Sequence, residues 1–330
     1  MTRIASLVAL YLVAAFTALA PRPGAARDPG VLEYGAQCAK EIGAIPAFNC
    51  NDGTDIPITV DGKPPAPGTA PKQCDRPSLL SPLSPTEGQC TPYSKILNLT
   101  RGNIQISAYC RRNVLRDRTD PHYDEVIVVL HHADNGKTCW FDSQPPPDSG
   151  GWNATRVPPP NEATPPRGRP SAVEFWATPA KIAANKPTCI ECHDAGPFIF
   201  SPYIGQVWDK VPTDPWGKYS NLGAAFASYH LKTMSTPGNT CIGCHRIGSE
   251  QSCTVFLRLS AGRKAAPGND ALANRYPLSH WMPTDNTMSE AQWNAANVKS
   301  VDDLLACCND KNHPNPNCTF TPMPPGGTVR

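Results

Sequence analysis

Between Glu125 and Phe141 the chain is patterned as a β-hairpin. An apolar run, Val126-Ile127-Val128-Val129-Leu130, is followed by Asn135-Gly136 and then by Lys137-Thr138-Cys139-Trp140-Phe141. Asn-Gly marks a tight turn because both residues tolerate positive φ. A two-residue loop would set Asp134 opposite Lys137 and His132 opposite Cys139. A further strand is expected over residues 103–111, which carry Ile104, Ile106 and Tyr109, with Cys110 near the end. Toward the C-terminus the period lengthens. Leu222, Ala225, Phe226, Tyr229 and His230 recur at helical spacing over residues 221–234. Ser289 with Gln292 forms a capping box for a helix through Val298, and Ser300 with Asp303 offers a cap for another. The pattern predicts an α+β chain, with a small β domain followed by a mainly helical one.

Proline modifies that picture. The chain holds 38 Pro among 330 residues, and only 18% of residues are charged, a composition of loops rather than of idealised bundles. Residues 51–92 look irregular. Pro145-Pro146-Pro147, Pro158-Pro159-Pro160 and Pro165-Pro166 suggest an extended, semi-rigid spacer. The expected division is therefore a leader over 1–26, a disulfide-rich β domain over 27–145, a Pro-rich linker over 146–170 and a helical domain over 171–330.

Residues 1–26 read as a secretory signal: Arg3, then an apolar run from Ile4 to Ala20, then small residues suited to cleavage after Ala26. No later segment is apolar enough to span a membrane, so a periplasmic or secreted protein without a membrane span after cleavage is expected. Of 30 Lys and Arg, two fall in the leader, leaving 28 basic against 28 acidic residues. That balance argues against nucleic-acid binding. Arg101, Arg111, Arg112, Arg116 and Arg118 form the one basic cluster, read as a solvated face in preference to a docking patch.

Four of the 14 Cys stand in two copies of one pentapeptide, Cys189-Ile190-Glu191-Cys192-His193 and Cys241-Ile242-Gly243-Cys244-His245. Cys-x-x-Cys-His is the attachment motif of c-type haem. Thiols three residues apart share one helical side and can each add to a haem vinyl group, while the His ligates iron. A four-thiolate zinc site or a redox dithiol would use Cys-x-x-Cys, but neither needs the following His. Thr precedes each first Cys, and Gly196 and Gly248 follow three residues after each His, so the motifs read as tandem modules. Two covalently attached haem groups, each with its iron, are the expected cofactors. The other ten Cys are an even set, suited to five disulfides in an oxidising compartment. Cys110–Cys139 is one plausible bridge, and Cys307 and Cys308 should each bond a separate partner.

Residues 185–310 resemble class I c-type cytochromes, which carry Cys-x-x-Cys-His early in a helical module and a distal Met, often beside Pro, on a later loop. The resemblance implies thioether bonds at Cys241 and Cys244, His245 as proximal ligand and Met282, in His280-Trp281-Met282-Pro283, as distal ligand. His280 is its rival. For the first haem, bound through Cys189, Cys192 and His193, Met234 and His230 compete as distal ligands. Phe198, Phe200, Trp208, Tyr276 and Trp281 are candidates to pack on a haem face. His131 and His132, adjacent on a strand, should point to opposite faces.

Electron transfer between periplasmic redox proteins is the expected function. Two others compete: a dihaem reductase or peroxidase with one open iron, and a docking module joined to a cytochrome that serves a dehydrogenase complex. An open iron would bind an exogenous ligand, and a docking module would capture a partner when expressed alone.

Overall fold

A computed structural model of the protein describes residues 30–78, 89–146, 148–185, 188–199, 201, 203–257, 288–309 and 315–323. Helix α1 (Val31–Glu41) opens this part and buries Val31, Tyr34 and Cys38 on one side. Short strands β1 (Thr54–Asp55) and β2 (Lys95–Asn98) precede the long β3 (Ile104–Arg111). Then come β4 (His122–Tyr123), β5 (Glu125–His132), β6 (Lys137–Ser143) and β7 (Trp152–Asn153). Three short helices follow, α2 (Ala172–Phe175), α3 (Pro179–Ala184) and α4 (Cys189–Cys192). After them lie β8 (Ser220–Asn221), β9 (Lys232–Ser235), β10 (Ile247–Gly248), helix α5 (Glu290–Asn309) and β11 (Thr319–Pro322). The protein is thus α+β, as its patterning predicts.

The main sheet runs β1-β2-β3-β5-β6-β8, antiparallel except for the parallel β6–β8 pair. β5 is central and its apolar run is buried apart from the half-exposed Ile127. The hairpin exists, but its register differs by two residues from that of a two-residue loop. Leu130 pairs with Cys139 and His131 with Thr138, so residues 133–136 form a four-residue loop. Gly136 N–H donates to His132 O at 2.8 Å, and Asp134 N–H donates to His132 Nδ1 at 3.2 Å. A shift of two keeps every side chain on its expected face. Gly136 has φ 77°, and a Cβ there would lie 2.6 Å from the Lys218 main chain, so both turn and packing need glycine.

Five disulfides pin the chain: Cys38–Cys139, Cys50–Cys110, Cys74–Cys90, Cys253–Cys308 and Cys307–Cys318. Cys307 and Cys308 do bond separate partners. The expected Cys110–Cys139 bridge is not formed. Cys110 faces Val126 and Cys139 faces Leu130, on strands that flank β5 on opposite sides. Two strand spacings plus that offset exceed disulfide reach.

The apolar core does not divide at the Pro-rich segment. One cluster joins Val31, Val128 and Trp140 to Ala154, Val157, Phe175, Trp176, Tyr219 and Phe226. Val157 bridges Phe48, and Trp176 Nε1–H donates to Pro158 O at 2.8 Å. Residues expected to form a spacer instead pack on the sheet, because Trp152, Ala154 and Val157 give them an apolar side to bury. The described part of the expected helical domain carries β8 to β11 besides its helices. A second cluster gathers Met234, Ile247, Cys253, Trp293, Leu304, Cys307 and Cys308. Among the described residues no helix is long and apolar enough to cross a membrane.

Residues 221–234 do not form the expected helix. Gly223 takes φ 103° against the Tyr34 ring, a single helical turn spans Ala224–Phe226, and Lys232–Ser235 is the central strand of the sheet β10-β9-β11. Ser289 and Gln292 do cap α5, with Gln292 N–H donating to Ser289 Oγ at 3.3 Å. The second helix start at Ser300 is absent, because α5 runs on to Asn309. The basic cluster is a solvated face only in part, since Arg101 and Arg118 are exposed and the other three are not. Arg111, Arg116 and Arg118 pair with Glu125, Asp124 and Asp55, and Arg112 is buried over the Tyr123 ring.

Candidate functional site

All ten disulfide cysteines lie outside the two pentapeptides, and the four free thiols are Cys189, Cys192, Cys241 and Cys244. Each pair is followed by a histidine whose Nδ1–H donates to a main-chain carbonyl: His193 to Pro197 O at 2.8 Å, His245 to Arg246 O at 2.9 Å. A carbonyl can only accept, so this bond fixes the tautomer and leaves the Nε2 lone pair free to ligate.

The first motif lies on the sheet. Thr188 and Glu191 make the capping box that starts α4, with Thr188 N–H donating to the Glu191 carboxylate at 3.0 Å. The His193 ring packs 4.7 Å from Trp140 of β6, between centroids. Trp140 is held in turn by Asn221 Oδ1 at 2.7 Å, and Tyr219 O–H donates to His193 O at 2.7 Å. Burial lowers the His193 pKa to about 4, so the ring is neutral. Burial also pushes the Cys189 and Cys192 thiols up to about 12. A redox-active dithiol needs the opposite shift.

The second motif sits under α5. Thr240 N–H donates to Ser300 Oγ at 3.0 Å, so mid-helix Ser300 anchors the motif rather than starting a helix. Cys241, Cys244 and His245 line a cavity of about 370 Å³. Its other walls come from the loop after the first motif (Pro197, Phe198, Ile199), from Trp208 and from α5 through Trp293 and Val301. That volume is typical of a cofactor or small-molecule site. Arg246 lines it too, 5% exposed, with no hydrogen-bond partner at Nε, Nη1 or Nη2.

The motifs touch. Asp194 Oδ2 accepts from Glu250 N–H at 2.5 Å, and Cys192 Sγ–H donates to Gln251 Oε1 at 3.3 Å. Gly248 lies so close that a Cβ would fall inside the Asp194 carboxylate, whereas Gly196 has room for one. The two repeated glycines therefore stand in different surroundings. Burial raises the Asp194 pKa to about 7.

Of the expected distal ligands, Met234 is 1% exposed in β9 with Sδ 3.7 Å from Cys253 Sγ. That places it in the second cluster, beside Cys241 and Ile242. His230 is exposed beyond the Ala224–Phe226 turn, so the two do not share a helix face. Met282 and His280 lie outside the described residues, as do Phe200, Tyr276 and Trp281. Phe198 lines the cavity and meets the His131 ring edge-on at 6.1 Å.

The patterning gave no reason to single out His131. It is fully buried while His132 is not, as expected of strand neighbours. Thr138 O–H donates to Gly136 O, so Thr138 Oγ1 accepts from His131 Nδ1–H at 2.8 Å. His131 Nε2 is buried without a partner.

No protein-family model matches the chain, no curated protein matches it, and no solved structure matches it. The site therefore rests on its own chemistry. Among the described residues no three His, Cys, Asp or Glu side chains converge as a metal-ion cluster, so the two Cys pairs do not assemble a four-thiolate zinc site. The second motif fits haem: two thiols and a carbonyl-anchored imidazole border one largely apolar cavity that also holds a cation without a hydrogen-bond partner.

Proposed function

We propose that the protein is a dihaem c-type cytochrome that carries single electrons between redox partners outside the cytoplasm. One observation carries this reading. Ten of the 14 Cys are consumed in disulfides, and the four spared are the two Cys-x-x-Cys pairs that precede carbonyl-anchored histidines. Haem bound there would supply a one-electron couple between ferric and ferrous iron. The chain's part is to hold it. Cys189 and Cys192, and Cys241 and Cys244, would form the thioethers, and His193 and His245 would present Nε2 to each iron. Trp140 packs on the His193 ring, and α5 supplies one apolar wall of the second cavity through Trp293 and Val301. The direct contact of Asp194 with the Gly248–Glu250 turn supports exchange between the sites, since it sets the motifs side by side. Five disulfides favour an oxidising compartment, periplasmic or extracellular.

Optical spectra of the mature protein, oxidised, reduced, and reduced under carbon monoxide, test the reading. Two covalent haem groups per chain and a reduced spectrum indifferent to carbon monoxide are expected. Absence of covalent haem would sink the proposal. A Soret shift under carbon monoxide would replace electron carriage with catalysis at an open iron.

A further inference from the structure

Arg246 is a charged side chain in a place where charge is expensive. It is 5% exposed, and all three guanidinium nitrogens are buried without a hydrogen-bond partner. Leaving a buried cation unpaired costs several kcal/mol, roughly what breaking a buried ion pair costs. The nearby acids give it no hydrogen bond, although the Asp214 charge attracts it through space. Asp214, in the same cavity wall, makes no hydrogen bond to Arg246 and turns Oδ1 toward Trp216 N–H at 3.4 Å. Asp194 spends Oδ2 on Glu250 N–H, and Tyr219 O–H is given to His193 O. The guanidinium is nonetheless well placed. It follows His245 directly, lines the cavity with Cys241 and Cys244, and reaches across to within 4.0 Å of a Cβ position at Gly196.

We infer that Arg246 binds a propionate carboxylate of the haem held by Cys241, Cys244 and His245. The inference rests on the dihaem reading above. A planar guanidinium offers parallel N–H donors that match a carboxylate bidentately, and such charge-assisted bonds are about twice as strong as neutral ones. A haem has its vinyl groups on one edge and its propionates on the other. A haem tethered at Cys241 and Cys244 would carry its carboxylates on the edge away from the thiols, where the remaining walls of this cavity could meet them. Arg246 is the cation that those walls supply among the described residues. The pairing would keep the carboxylate ionised in a dry site. It would also hold positive charge near the iron, which favours the ferrous form.

The test uses the mature protein with both haem groups attached, counted by intact mass. Should the parent chain carry no covalent haem, the dihaem reading fails and the Arg246 inference falls with it. With both present, the midpoint potentials of the parent, R246Q and R246K are compared by spectroelectrochemical titration. In R246Q the second haem should lose about tenfold in its ferrous-to-ferric ratio at fixed potential, ~59 mV for a one-electron couple, and R246K should recover most of it. An unchanged second haem, a shift confined to the first haem, or a loss that R246K does not recover would overturn the inference. A crystal structure of the haem-loaded parent decides the matter without any variant. Guanidinium nitrogens roughly 2.7–3.2 Å from a propionate of the second haem are expected, and a guanidinium bonded only to protein groups would overturn it.

Discussion

His131 and His193 meet the same face of the β5–β6 pair, and both are neutral for the same reason. Burial lowers each to about 4, and each gives its Nδ1 proton to a fixed oxygen. Asp142, farther along that face of β6, is shifted the other way. Burial first, then the Glu125 carboxylate, push it up to about 7. Unfolded, it would ionise near ~3.9. Between those values the folded protein keeps a proton that the unfolded chain has released. The Asp142 contribution to stability therefore declines as pH rises from about 4 to about 7. D142N removes that loss, so its Tm relative to the parent should be higher at pH 8 than at pH 5. Equal differences at both pH values would mean an ordinary carboxylate. Met234 supplies a second prediction at this scale. Its sulfur packs on Cys253 and it is not part of the cavity wall. M234L should therefore leave the spectra of the two proposed haem groups unchanged and cost under ~1.5 kcal/mol in chemical denaturation. Loss of a low-spin spectrum in M234L would instead make it a ligand.

At the scale of elements, the two Cys-x-x-Cys-His-x-x-Gly segments are alike in sequence and unlike in structure. The first is a capped helix, α4. The second is a single turn, Cys241–Gly243, held by Ser300 of α5. G248A should destabilise the protein by about 1–3 kcal/mol, because the Asp194 carboxylate must move, while G196A should stay within roughly 0.5 kcal/mol. Equal costs would mean that the Asp194 contact does not hold. The hairpin was legible because alternation and Asn-Gly are local signals. Its loop length was not, because residues 133–136 are fixed by bonds from His132 and by the Lys218 backbone, which is distant in sequence. Residues 221–234 carried a helical period yet fold otherwise, since Gly223 turns against Tyr34 of α1 and β9 is held between β10 and β11. The pentapeptides were legible because their chemistry lies within five residues. Arg246 and His131 were not, because only burial and the absence of partners distinguish them.

For the whole molecule, proline content misled about architecture. An extended spacer was expected over residues 146–170, but the chain turns at Ala154 and Thr155, and Ala154 and Val157 are buried in the core that the sheet shares. The first core consequently spans both expected domains, and β6 pairs with β8 across the supposed boundary. Residues 27–145 expressed alone should therefore fail to unfold cooperatively, as judged by a calorimetric scan. A sharp independent transition would restore the two-domain division. Cys38–Cys139 ties α1 to β6 over a separation of 101 residues. Replacing both cysteines with Ser should cost about 2–5 kcal/mol, measured by denaturant titration.

If the four free thiols take haem as proposed, ten thiols that must be oxidised and four that must not share one chain and one compartment, with only the Ile247–Gly248 segment between Cys244 and Cys253. Biosynthesis is then a race. Once Cys192 is hydrogen-bonded to Gln251 and Cys189 lies half-buried against the core, a bulky reactant reaches them less readily. On the dihaem reading proposed above, haem capture would have to precede closure of the chain, and each thioether formed would remove a sulfur from the pool open to mispairing. Cells starved of haem should accordingly secrete scrambled isomers, visible as several bands on a non-reducing gel. A single band with four alkylatable thiols would show that the disulfides sort themselves without that protection.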